Sequence, residues 1–148
     1  MIVPDVNLLI NAYNADFPDH VEARKWWEGV LDERESIGLA WVTVLGFIRI
    51  MTHPRIMPNP MPVPTALAAV ESWLNQPNVD LIDPGPRHPG ILFRLIRGTG
   101  VAANLTTDAH LAALAIEYQA QLASTDNDFA RFPGLKWHNP LLKRSRAR

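Results

Sequence analysis

The sequence predicts an open α/β sheet with helices on both faces. Short apolar runs alternate with segments of helical periodicity along the chain. With 148 residues, 47% of them hydrophobic, the chain can build one core. No internal repeat and no linker divides it into two units.

"MIV" is a short apolar strand, and Pro4 keeps it short; in a parallel sheet it can still be buried, ending near Asp5. Asn7 is expected to cap the helix that "LLINAY" begins. After a loop, Ala23, Trp26, Trp27, Val30 and Leu31 recur at spacings of three and four and predict an amphipathic helix. "IGLA" reads as a strand, followed by a helix from about Thr43 that carries Leu45, Ile48 and Arg49 on neighbouring turns. "THPRIMPNPMPVP" holds five prolines in thirteen residues, which excludes regular helix and central strand. "TALAAVESWLNQ" is a helix capped by Thr65, with Leu67, Val70 and Leu74 turned inward. "NVDLID" is a strand, "PGPRHPG" a turn, and "ILFRLIRGTG" a helix ended by glycine. The alanine-rich "TTDAHLAALAIEYQA" is a further helix suited to close packing. "QLAST" is a strand, "DNDFARF" a short helical turn and "LKWHN" a last strand.

The chain has no cysteine, which excludes a disulfide framework, a thiolate nucleophile and a Cys-ligated zinc site. Its start lacks the basic region of a signal peptide, and no apolar run approaches the ~20 residues of a membrane span; a cytoplasmic protein without membrane contact is expected. The last six residues, "KRSRAR", carry four of the fourteen bases and no acid. The rest of the chain therefore holds ten bases against fifteen acids. That balance is unusual for a plain nucleic-acid binder and natural for an enzyme whose negative charge is gathered at a metal site. The tail 141–148 is either a solvated terminus or an RNA contact.

The acids recur in one kind of place. Asp5 stands where the first strand gives way to a helix, Asp108 at a helix start, and Asp126 and Asp128 after another strand. Ligands of open α/β sheets bind just beyond the carboxyl ends of the strands. Each acid can also serve as a cap or first-turn aspartate, but several gathered carboxylates repel one another. A divalent cation removes that cost, and hard oxygen ligands suit Mg²⁺ or Mn²⁺. Asn7, Thr107, Ser124 and Thr125 are candidates for orienting carboxylates or water.

"MIVPDVNLLINAY", "NLTTDAHLAALA" and "STDNDFARFPGLKW" resemble the three acidic motifs of the PIN-domain family, and closely those of its VapC-type toxins. The resemblance runs from residue 1 to about residue 140, giving a nuclease domain 1–140 and a basic tail 141–148. It implies a three-layer α/β/α sandwich around a parallel sheet and Mg²⁺- or Mn²⁺-dependent cleavage of RNA. It also implies a homodimeric toxin and a cognate antitoxin that blocks the site. Asp5 falls on the family's first acid, Asp108 on the third, Asp126 on the fourth and Asp128 on an additional one. Asp5, Asp108 and Asp126 are thereby the expected metal ligands, with Asp128 joining them as a catalytic residue. The family's second acid is a glutamate in a setting like "TEAGYVRI"; here the segment is "TVLGFIRI" and the position is Val44. One tightly held ion is therefore expected rather than two. Thr43 beside it is expected to cap its helix, with holding a water as the other role.

None of His20, His53, His88, His110 and His138 makes a zinc spacing, and packing or an exposed polar role is expected of His110. One of Trp26 and Trp27 should lie in the core and the other outside, as a partner contact. Arg24, Arg49, Arg87, Arg94 and Arg97 are candidate phosphate contacts. The alternative to a ribonuclease is a catalytically weakened domain of the same fold that only binds RNA or its partner. A phosphatase with a nucleophilic aspartate fits poorly, because its usual Asp-x-Asp is here Asp5 followed by Asn7.

Overall fold

The computed structural model describes residues 1–100 and 105–142; Asn104 of the second acidic motif and residues 143–148 of the basic tail lie outside them. Five strands form one sheet: β1 (Ile2–Pro4), β2 (Ile37–Ala40), β3 (Val79–Ile82), β4 (Gln121–Ala123) and β5 (Lys136–His138), in the spatial order β3-β2-β1-β4-β5. Every neighbouring pair is parallel. The helices are α1 (Val6–Tyr13), α2 (His20–Asp32), α3 (Trp41–Met51), α4 (Val63–Leu74), α5 (His88–Thr99) and α6 (Leu105–Glu117). Asn127–Arg131 form a single 3₁₀ turn between β4 and β5.

Successive strand residues point to opposite faces, and the core divides accordingly. Ile2, Ile37, Leu39, Val79 and Ala123 join one apolar cluster with residues of α1 to α4. Val3, Ala40, Ile82 and Leu122 join a second with α5, α6 and the 3₁₀ turn. The molecule is thus the expected α/β/α sandwich. The first cluster is centred on Trp73, whose ring meets Phe47, Tyr13 and Trp27 edge-on at centroid distances of 4.8, 5.6 and 5.6 Å.

Pro4 is tolerated in the central strand because it is the last residue of β1. It offers only its carbonyl, and the next amide, of Asp5, donates to the Ala123 carbonyl at 2.8 Å. Helix α5 ends as expected at glycine: Gly100 has φ +71°, the left-handed conformation glycine adopts freely.

Several local expectations are corrected. The cap of α1 is Asp5, which accepts from the Val6 amide at 2.8 Å, while Asn7 is exposed. Helix α3 starts at Trp41, and Thr43 is buried inside its first turn, donating to the Pro4 carbonyl at 3.4 Å instead of capping. Helix α4 starts at Val63, with Pro64 in its first turn, where a missing N–H costs nothing, so Thr65 is not its cap. Its buried face is Ala66, Val70 and Trp73, whereas Leu67 is 42% exposed and Leu74 half-buried. The Trp73 ring fills the aromatic cluster, and that turns the helix by about one residue from the face expected.

Candidate active site

The order of the strands decides where a site can form. The chain lays down β1, β2 and β3 outward in one direction, then crosses back through α5 and α6 to place β4 on the other side of β1. The direction of winding reverses between β1 and β4, and a crevice opens beyond their carboxyl ends. Asp5 follows β1, Ser124 and Asp126 follow β4, and Asp108 sits in the first turn of α6.

Asp5 is 7% exposed. One carboxylate oxygen accepts from the Val6 amide, and the other accepts from the Ser124 hydroxyl at 2.7 Å. Ser124 is fully buried and also accepts from the Asp126 amide at 3.0 Å. Asp126 in turn accepts from the Asp128 amide at 2.9 Å, which starts the 3₁₀ turn. A single chain of hydrogen bonds therefore runs from Asp5 through Ser124 and Asp126 to Asp128. The Trp137 indole N–H donates to the Ser124 carbonyl at 3.1 Å and fixes this corner from β5.

Asp108, Asp126 and Asp128, all half-buried, each offer an oxygen within 4.8 Å of the others. Among the described residues no other such group of three metal-ligating side chains forms. Asp5 lies close enough for its charge to be felt. Burial first, then the charges of Asp5, Asp126 and Asp128, push the Asp108 carboxyl up to about 6 from its ordinary 3.8. Burial likewise raises Asp5, helped by Asp126 and opposed by the hydrogen bonds from Ser124 and Val6. Four acids thus converge on the crevice, and their mutual repulsion is of the kind a divalent cation relieves. The donors are all hard carboxylate oxygens, with no sulfur or imidazole among them, and they fit Mg²⁺-like ions. Asp108, Asp126 and Asp128 are the three that could hold such an ion from the positions they occupy.

Val44, at the position of the expected second acid, is 2% exposed and belongs to the apolar cluster of α1 to α4. Of the candidate orienting residues, Ser124 makes the contact with Asp5, whereas Asn7 and Thr107 are exposed. Of the candidate arginines, Arg24 pairs with Glu28 along α2 at 2.9 Å and Arg87 donates to the Glu117 carbonyl at 2.8 Å. Among the described residues the base that touches the cluster is none of these candidates but Arg131, whose guanidinium lies 3.7 Å from Asp128. Its signal in the sequence was the spacing Asp128…Arg131, which one helical turn brings together.

Of the two roles expected of His110 the structure gives packing: its Nδ1 lies 3.0 Å from Nε2 of His88, with the rings edge to face. Burial lowers the pKa of both, so the pair is neutral near pH 7. Trp27 is buried in the core, and Trp26 is half-covered rather than exposed.

A family model described as "PIN domain" matches residues 2–135. The chain is 48% identical over 141 residues to Ribonuclease VapC33 of Mycobacterium tuberculosis, covering 95% of this chain and 99% of that protein. It is 40% identical over 140 residues to Ribonuclease VapC37 of the same organism, covering 95% and 97%. Among solved structures, the fold is similar to that of VapBC2 from Rickettsia felis bound to a promoter DNA fragment, with a TM-score of 0.68 at 17% identity over 94% of this chain and 98% of that one. It is also similar to M. tuberculosis VapC20, described as a sarcin-ricin loop cleaving toxin, with a TM-score of 0.65 at 15% identity over 92% and 99%.

Proposed function

The chain belongs to the PIN-domain family, and on that premise we propose that it is a metal-dependent endoribonuclease, the toxin of a toxin–antitoxin pair. The observation that carries the reading is the meeting of Asp108, Asp126 and Asp128 within 4.8 Å at the crevice between β1 and β4. The names of its relatives, ribonucleases of the VapC type, support it.

The ion would be Mg²⁺ or Mn²⁺, with Asp5, Asp108 and Asp126 as its expected ligands and Asp128, which lies within 4.8 Å of Asp108 and Asp126, able to join them. Once bound, it supplies a Lewis acid for water and for the phosphate under attack. The residues of the chain do the rest. Ser124 holds Asp5 in one orientation and, through the Asp126 amide, sets where that carboxylate stands. The Asp128 side chain stays outside the hydrogen-bonded chain, which its amide joins, and its carboxylate meets only the solvated Arg131 guanidinium at 3.7 Å, so it can accept a proton or a water. With Val44 apolar and buried, one ion is bound tightly.

The nuclease domain spans 1–140, followed by a basic tail. Substrate RNA and the antitoxin that silences the enzyme meet it in the cytoplasm, where it acts as a homodimer; the similar fold of a toxin–antitoxin complex from Klebsiella pneumoniae supports the antitoxin partner. Among the described residues no helix is long and apolar enough to cross a membrane.

The test is cleavage of RNA by purified protein with and without Mn²⁺, together with titration calorimetry. We expect Mn²⁺-dependent products with 5′-phosphate and 3′-hydroxyl ends, one tight ion, and loss of cleavage in Asp5→Asn with the circular-dichroism spectrum unchanged. Cleavage that persists in EDTA, or an Asp5→Asn enzyme within about threefold of wild type, would defeat the reading.

A further inference from the structure

The acids that suit an ion are poorly suited to the substrate. A phosphodiester approaching four gathered carboxylates meets like charge, and an ion alone offsets only part of it. Arg131 stands at that point. It is the last residue of the 3₁₀ turn that starts at the Asp126 cap, and its guanidinium faces the Asp128 carboxylate at 3.7 Å. Two buried rings, Phe129 and Phe132, flank it in sequence and anchor the turn in the core cluster of α5 and α6. The backbone of Arg131 is therefore fixed relative to the acids, while its side chain is 63% exposed.

The contact with Asp128 is long and solvated, and pairs of this kind contribute little to stability. Arg131 can thus leave Asp128 at small cost. A guanidinium also presents a planar fork of donors that matches two phosphate oxygens. Among the three ion pairs of the described residues, this is the one that touches the cluster; the others join the N-terminus to Glu35 and Arg24 to Glu28.

We propose that Arg131 binds a backbone phosphate of the RNA at the acidic centre, resting on Asp128 until substrate arrives. The inference rests on the ribonuclease reading. A cation at the cluster would offset the negative charge of Asp128 and leave the Arg131 guanidinium to the phosphate.

The test uses the full chain and a fluorescein-labelled single-stranded RNA 20-mer of random sequence. Binding is followed by anisotropy in Ca²⁺ over a range of salt concentrations. Arg131→Ala should weaken binding about tenfold, the loss expected for a charge-assisted contact. It should also reduce the slope of log affinity against log salt by about 0.7, the value for one phosphate contact on a single strand. Arg131→Lys should keep the slope and fall between the two in affinity. With Mn²⁺, cleavage by Arg131→Ala should show the loss in KM more than in kcat. A residue that served only to hold Asp128 in place would shift Mn²⁺ affinity in calorimetry and leave the salt slope alone. An unchanged slope and affinity in Arg131→Ala overturns the phosphate contact while leaving the ribonuclease reading intact. A wild-type protein that binds no RNA overturns both.

Discussion

Introducing a glutamate at Val44 tests how the site departs from the family pattern. The substitution Val44→Glu restores the residue type of the second family acid, so two opposite outcomes are conceivable. If position 44 faced the acids, the new carboxylate would add a ligand and tighten metal binding. The structure places Val44 at 2% exposure among the apolar side chains of α1 to α4. A carboxyl buried there has its pKa raised by roughly 3–5 units. At 1.36 kcal/mol per unit that is about 4–5 kcal/mol at pH 8, where the cost is capped at about 5 kcal/mol by the distance from the unfolded pKa of about 4.3, and it is a large share of the ~5–15 kcal/mol that holds a domain together. The sign follows from linkage. The folded-state pKa exceeds the unfolded value of about 4.3, so the charge penalty is absent below that pH and grows as pH rises toward the folded value. Val44→Gln has the same size without the titration and isolates the charge. Denaturant melts at pH 4.5 and pH 8 should show Val44→Glu and Val44→Gln nearly equal at the lower pH. At the higher pH, Val44→Glu should fall several kcal/mol below it. A Val44→Glu protein as stable as wild type at pH 8, with tighter Mn²⁺ binding, would refute the placement of this side chain in the core.

Asp108, raised to about 6, predicts that metal-free protein loses stability as pH rises from about 4 to 6. Asp108→Asn should remove that loss, by about 1 kcal/mol once solvent screening of this half-exposed group is allowed for, and thermal melts in EDTA would read it. Mn²⁺ affinity of the wild type should fall as pH drops through about 6, because ligands must be deprotonated; calorimetry showing pH-independent affinity between 5 and 8 would contradict it. Ser124→Ala removes a hydrogen bond that lowers the Asp5 pKa. The onset of Mn²⁺-dependent cleavage should then move to higher pH, with a stability cost of about 1–3 kcal/mol for the buried oxygen left unpaired.

Much of this fold is legible because the strands are short apolar runs between helices, and the run and the helical period do not resemble each other. What the sequence left ambiguous was decided by distant partners. Positions 67, 70 and 74 and positions 66, 70 and 73 both make an acceptable helical stripe. The second one wins because Trp73 fits between Phe47, Tyr13 and Trp27, which arrive from three other helices. Likewise Asn7 and Asp5 are both plausible caps of α1, and Asp5 wins because β1 ends one residue before it. In the site, the acids could be read from their places after strands and at a helix start. The link from Ser124 to Asp5 spans 119 positions and follows only from β4 lying beside β1.

The two halves of the acidic centre are positioned by different forces. Asp5 and Asp126 follow adjacent strands, and the ladder that pairs Pro4 with Ala123, continued by the Asp5 amide and by the Ser124 hydroxyl between the two acids, fixes their spacing. Asp108 comes from α6, so its distance from the others is set by how closely that helix lies on the sheet. Ala109, Ala112, Ala113 and Ala115 are all buried along α6. Side chains of one carbon let a helix backbone approach its neighbours closely, and interiors packed near crystal density transmit any added volume as displacement. The alanine-rich stretch therefore does more than favour helix: its small side chains hold the carboxylate at the start of α6 within 4.8 Å of the two that follow β4. The spacing of the acids that would hold the ion is in this sense encoded in the apolar face of α6 as well as in the acids themselves.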